Sequence, residues 1–210
     1  MSDASSLDEL LAAHAAGHLP APLALIVATH LALSPEGRRR YRCFEAAGGV
    51  LLDRIAPVPL APDAWERLVA RLDAGEGVEP PPTPAGPWHR IPRPLRDHLP
   101  AIPDALPWRP LPNARAIDLD LGEPGYRTSL ISVAAGRAFP RHGHAGRELI
   151  LVLEGGFRDE SGHYRRGDLQ IAEAGVEHQP VADEGQDLLW LRVLDAPLRP
   201  MGEFAGLSDL

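Results

Sequence analysis

Cysteine is almost missing from this chain: 210 residues contain one, Cys43. A single thiol excludes an intramolecular disulfide and any zinc site built on cysteine pairs. Long apolar runs are missing too. The longest, Leu23 to Leu33, is broken by Thr29 and His30 and is too short to cross a bilayer, so no membrane partner is expected. The first residues lack a basic stretch followed by an apolar one, so no secretory signal is expected there. Positive charge is in deficit, with a formal net charge of -8. Phosphates repel such a chain, which argues against direct nucleic-acid binding. A cytoplasmic protein is the expectation. Aromatic residues are also sparse.

Proline is plentiful, 23 in all, and divides the chain. The first part reads as helices. Ser6 and Glu9 have capping-box spacing, and Leu7, Leu10 and Leu11 follow at helical intervals. Gly17 and Pro20 end that helix. Pro22 opens a second over Leu23 to Leu33 that is apolar on nearly every side and therefore buried, in its own domain or against a partner. A third runs from Glu36 to about Ala47, carries Arg38, Arg39, Arg40 and Arg42 as a solvated face, and is closed by Gly48-Gly49. A fourth spans Pro62 to Leu72, with Trp65, Leu68, Val69 and Leu72 on one face. Pro80, Pro81, Pro82 and Pro84 then mark a semi-rigid linker. A short helical turn is expected near Leu95.

Beyond the linker the period becomes that of strands. Ala116 to Leu121 alternates, with Ile117, Leu119 and Leu121 on one side. Arg127 to Ala134, Glu148 to Leu153, Gln170 to Ala172 and Leu188 to Leu194 are further strands, mostly separated by glycine turns. Many short strands imply a sandwich or small barrel. The resulting expectation has two domains: residues 1–75 a small all-α bundle, 76–105 a proline-rich linker, and 106–202 an all-β unit.

One run carries chemistry. His142 and His144 are two apart, so in a strand they share a face. Glu148 begins the next strand, and His178 follows the turn at Gly175. Three imidazoles and a carboxylate suit one first-row divalent ion, zinc first among the candidates with Fe, Mn or Ni open. His163 reads as a hairpin-tip residue outside this set. The spacing from Gly136 through His142, His144 and Glu148 to Gly155 matches the first motif of the cupin superfamily. The second motif has Gly167, Gly175 and His178 in place, with Glu173 where the pattern has proline and Ala182 where it has asparagine. This resemblance implies a double-stranded β-helix, a jelly-roll barrel.

Nearly the whole chain resembles the ChrR-type anti-sigma factors. The residues that carry the likeness are Leu10-Leu11, Ala15-Ala16-Gly17, Leu19-Pro20, Ala28 to Leu33, Gly48-Gly49, Ala56-Pro57-Val58, Glu154 to Glu160 and Asp195 to Arg199. The resemblance implies that the chain binds an extracytoplasmic-function (ECF) sigma factor through its helices and senses an oxidative signal through its cupin half. Leu25, Ile26, His30, Leu33 and Trp65 are then candidate contacts. The family's amino-terminal zinc site is expected to be absent: His30 remains, but Ser34 and Gly37 stand where its cysteines belong, and Ser5 or Ser6 where its early histidine belongs. His30 itself reads as a buried core histidine. Pairing of two copies through the cupin half is left open. The alternatives are a metal-dependent cupin enzyme, a dioxygenase or isomerase, and a cupin sensor that has lost its sigma partner.

Overall fold

The computed structural model describes residues 3–74, 91–99 and 106–205. Five helices come first: α1 (Asp3–Ala15), α2 (Ala21–Leu33), α3 (Pro35–Leu52), α4 (Ala64–Asp73) and the short α5 (Arg93–Arg96). Twelve strands follow: β1 (Arg109–Leu111), β2 (Ala114–Leu119), β3 (Arg127–Val133), β4 (His142–His144), β5 (Glu148–Glu154), β6 (Gly156–Asp159), β7 (Gly162–Arg165), β8 (Leu169–Ala172), β9 (Glu177–His178), β10 (Val181–Ala182), β11 (Leu188–Leu194) and β12 (Leu198–Pro200). Most of the linker expected around the proline cluster lies outside the described residues.

The strands form a six-stranded sheet in the order β1-β2-β3-β11-β5-β8 and two three-stranded sheets, β10-β6-β7 and β12-β4-β9. The large sheet is covered on both faces, which explains why its central strands read as near-continuous apolar runs. Ile150 and Val152 of β5, Trp190 of β11 and Ile131 of β3 point inward and meet Phe139, Phe157 of β6 and Ala182 of β10. Leu149, Leu151 and Leu153 of β5, with Leu191 and Val193 of β11, point outward. There they pack on Leu10 and Leu11 of α1, on Leu23, Leu25, Ile26 and Val27 of α2, and on Leu95 of α5. Helices and sheet thus share one core. Each fully buried aliphatic side chain in it, such as Leu11 or Ile26, contributes roughly 1.5–3 kcal/mol.

Several local expectations change. The helix of Ser6 starts earlier, at Asp3, so Ser6 is no cap; its hydroxyl donates to Glu173 of the turn after β8 at 3.2 Å. Helix α3 runs through Gly48-Gly49 to Leu52. Its arginines are more than a solvated face. Arg38 donates to the carbonyls of Leu31 and Ala32 at the end of α2, and Arg40 pairs with Asp8 of α1 at 2.6 Å.

The positions expected to have lost a zinc site are occupied by packing and caps. Ser34 accepts from the Gly37 N–H at 3.0 Å and so caps α3. The Nδ1 of His30 lies 2.9 Å from the carbonyl of Gly167, on the turn between β7 and β8. Burial lowers the His30 pKa, and a carbonyl can only accept, so the neutral ring donates through Nδ1. The other edge of the ring lies against Gly37, where an added Cβ would sit 2.6 Å from Nε2. Glycine there lets α3 close onto the histidine. Gly37→Ala is therefore expected to cost about 1–3 kcal/mol by overpacking, read as a lowered urea midpoint; an unchanged midpoint would refute the close approach.

Candidate metal centre

Strand β4 is three residues long, His142-Gly143-His144, and both histidines face inward. It pairs with β9, which sets His142 directly opposite His178. Glu148 opens β5 and points the same way as Ile150 and Val152. The four sequence-predicted ligands are thereby brought together from three strands. Their donor atoms all lie within 4.8 Å of one another. Each residue is 1–3% exposed.

The Nε2 atoms converge on Oε2 of Glu148, at 3.4 Å from His142, 3.0 Å from His144 and 3.1 Å from His178. The opposite ring nitrogens are all engaged. Nδ1 of His142 lies 2.7 Å from the Pro140 carbonyl and Nδ1 of His144 lies 2.7 Å from the Val176 carbonyl. Nδ1 of His178 lies 2.8 Å from Oδ2 of Asp159. Because carbonyls only accept, Nδ1 of His142 and of His144 must carry hydrogen. When such a ring is neutral, Nε2 turns a lone pair towards a carboxylate oxygen. Acceptor faces acceptor, and only a proton or a cation between them relieves the contact. This outer set of carbonyls and a carboxylate is what orients histidines that ligate metals. The residues fit a first-row divalent ion; nothing in the donor set selects one.

Electrostatics agree. Burial alone would raise the Glu148 carboxyl, but His142 and the three imidazole hydrogen bonds outweigh it and hold the pKa well below the usual range. Burial lowers His178, yet Asp159 and Glu148 push it up to about 9. Asp159 would be raised by burial and is instead lowered by His178, Ser161 and Gln170.

Two neighbours were not singled out from the sequence. Asp159 steers His178. Arg192 of β11 is fully buried, with Nη1 3.9 Å from Oε1 of Glu148. A lone arginine between Leu191 and Val193 in an apolar strand was the signal for it. His163 sits on the β6–β7 hairpin and pairs with Asp183 at 2.7 Å, away from the ligand set. Glu173 and Ala182, the two departures from the second motif, have structural places: Glu173 accepts from Ser6, and Ala182 is buried in the inner core.

The helical candidates divide. Leu25, Ile26 and His30 are buried, and Leu33 is half-buried against Gly167. Those side chains are already engaged within the chain, so a role for them as partner contacts gives way to packing. Trp65 is 70% exposed.

Known proteins match this arrangement over most of its length. The family described as ChrR Cupin-like domain matches residues 98–195. Anti-sigma-E factor ChrR of Cereibacter sphaeroides is 41% identical over 194 residues, covering 91% of this chain and 89% of that one. The chain belongs to the ChrR family. A chain in the crystal structure of Rhodobacter sphaeroides SigE in complex with the anti-sigma ChrR is 37% identical, with a TM-score of 0.73 over 89% of this chain and 96% of that one. The ChrR likeness thus includes the helices as well as the cupin-like strands.

Two outcomes are expected of this centre. Metal-loaded protein carries about one ion per chain, and His142→Ala or Glu148→Ala reduces that to near zero by elemental analysis. Binding also releases protons. His178 has a raised pKa, so its protonated form stabilises the metal-free fold fully below the unfolded-chain value of 6.5 and loses that contribution as pH rises through about 9. At pH 7.5 a metal displaces that proton, so calorimetry in buffers of different ionisation enthalpy should show release of about one. No buffer dependence would contradict the assignment.

Proposed function

We propose that this protein binds an ECF sigma factor and holds it inactive, with a metal-loaded cupin half as the sensor of oxidative stress. The observation that carries the reading is the 41% identity to an anti-sigma-E factor across 91% of the chain. An exposed apolar stretch supports it. Val50, Leu51 and Leu52 at the end of α3, Ile55, Val58 and Leu60 after it, and Trp65, Leu68 and Leu72 of α4 are each 49–83% exposed. None of the residues of α4 is buried, although its apolar side chains share one helical face. An amphipathic helix whose apolar face meets solvent suits a groove on another protein. The related ChrR is seen with SigE.

In this reading the helices of residues 1–75 provide the contact, residues 76–105 connect, and residues 106–202 form the jelly-roll barrel that holds zinc or a chemically similar ion. No helix among the described residues is long and apolar enough to cross a membrane, which accords with action in the cytoplasm on a soluble partner. Self-pairing through the cupin half would be compatible with it.

The test is co-expression with a sigma factor encoded beside this chain, followed by co-purification. A stable complex is expected. The double substitution Trp65→Asp, Leu72→Asp should weaken it about 100-fold or more without lowering stability, since neither side chain is buried. Equal binding by the variant would move the contact elsewhere; failure to capture any neighbouring sigma factor would end the reading.

A further inference from the structure

The interior beside the metal ligands holds polar atoms that no protein group satisfies. Nε, Nη1 and Nη2 of Arg192 have no hydrogen-bond partner, nor do Oε1 of Glu148, Oε1 of Gln170 and Nε1 of Trp190. All four residues are 3% exposed or less. The sheet register puts them on one face: Arg192 is opposite Ile150, Gln170 is opposite Ile150 from the other side, and Glu148, two residues before Ile150, and Trp190, two before Arg192, lie on either side of that row. Arg192 and Glu148 approach only to 3.9 Å, too far for a direct hydrogen bond. Asp118, the other carboxylate whose field reaches Arg192, is taken by Ser129, Arg109 and Arg127. A buried guanidinium whose three nitrogens lack a hydrogen-bond partner, with the Phe139 ring 5.8 Å from its carbon, is expensive unless something polar meets it.

Charge points the same way. A divalent ion and Arg192 face two buried carboxylates, Glu148 and Asp159, the second already bonded to His178. With neutral imidazoles the interior retains one net positive charge. A monoanion removes it.

We propose that the cupin interior binds a small carboxylate monoanion between the metal and Arg192. His142, His144, Glu148 and His178 would hold the ion, and the Arg192 guanidinium would donate to the anion beside it. This rests on the metal-centre reading. The arginine is a binding residue of this site, set on a strand whose other face packs against α1 and α2. Occupancy of the interior would therefore be felt by the sheet that supports the helices.

The experiment uses the full chain loaded with cobalt(II) and titrated with acetate, with acetamide as a neutral control. The visible cobalt spectrum reports the coordination sphere, and elemental analysis reports the load. A saturable spectral change with acetate and none with acetamide is expected. Arg192→Met should weaken it about tenfold or more at the same cobalt load, and Arg192→Lys should recover part of the loss. Full cobalt load with a spectrum indifferent to acetate overturns the anion site alone; a chain that takes up no cobalt overturns the metal centre and this site with it. Equal acetate affinity in wild type and Arg192→Met, or in wild type and Arg192→Lys if Met does not fold, overturns the role of the arginine.

Discussion

The carboxylate of Glu148 is the constraint around which the sheet is arranged. An ion taken out of water costs several kcal/mol unless strong partners replace the solvent. Here the partners are three imidazole edges, each held from behind by a carbonyl or by Asp159. That arrangement needs β4 in register with β9 in one sheet and β5 in register with β11 and β8 in the other, because a slip of one residue in either would turn those side chains to the opposite face. The same strand that begins with Glu148 then sends Leu149, Leu151 and Leu153 outward to the helices and Ile150 and Val152 inward. The alignment of β5 thus bears on the site, the inner core and the helical layer at once.

The amino-terminal helices are held by many weak contacts. Ser34 caps α3, Gly37 admits the His30 ring, His30 donates to Gly167, and Ser6 donates to Glu173. Two of these bonds cross from the helices to the loops of the sheet. Those two bonds anchor the helices to the β-rich half.

Much of this was legible beforehand. The ligand set follows from a period-two pair, a carboxylate at a strand start and a histidine after a glycine turn, all local signals. The main strands Arg127–Val133, Glu148–Glu154 and Leu188–Leu194 were readable because they are long and apolar. Strands β9 and β10 have two residues each, too few to show a period, and only their partners define them. The end of α3 is not legible at Gly48-Gly49, a weak stop that the helix passes through at modest cost. The apolar character of α2 implies burial, but sequence alone does not say against what. Its partner is the outer face of the sheet, far along the chain.

The exposed apolar stretch from Val50 to Leu72 has a consequence for the free chain. Nine large hydrophobic side chains in water favour self-association or capture by proteins that recognise unfolded segments. The net charge of -8 opposes clumping through mutual repulsion, but only at a distance and less so in salt. The molecule is thus colloidally uneasy on its own. Its lifetime in isolation would depend on how soon another surface covers α4, so the amount of the free form is limited by that exposed face.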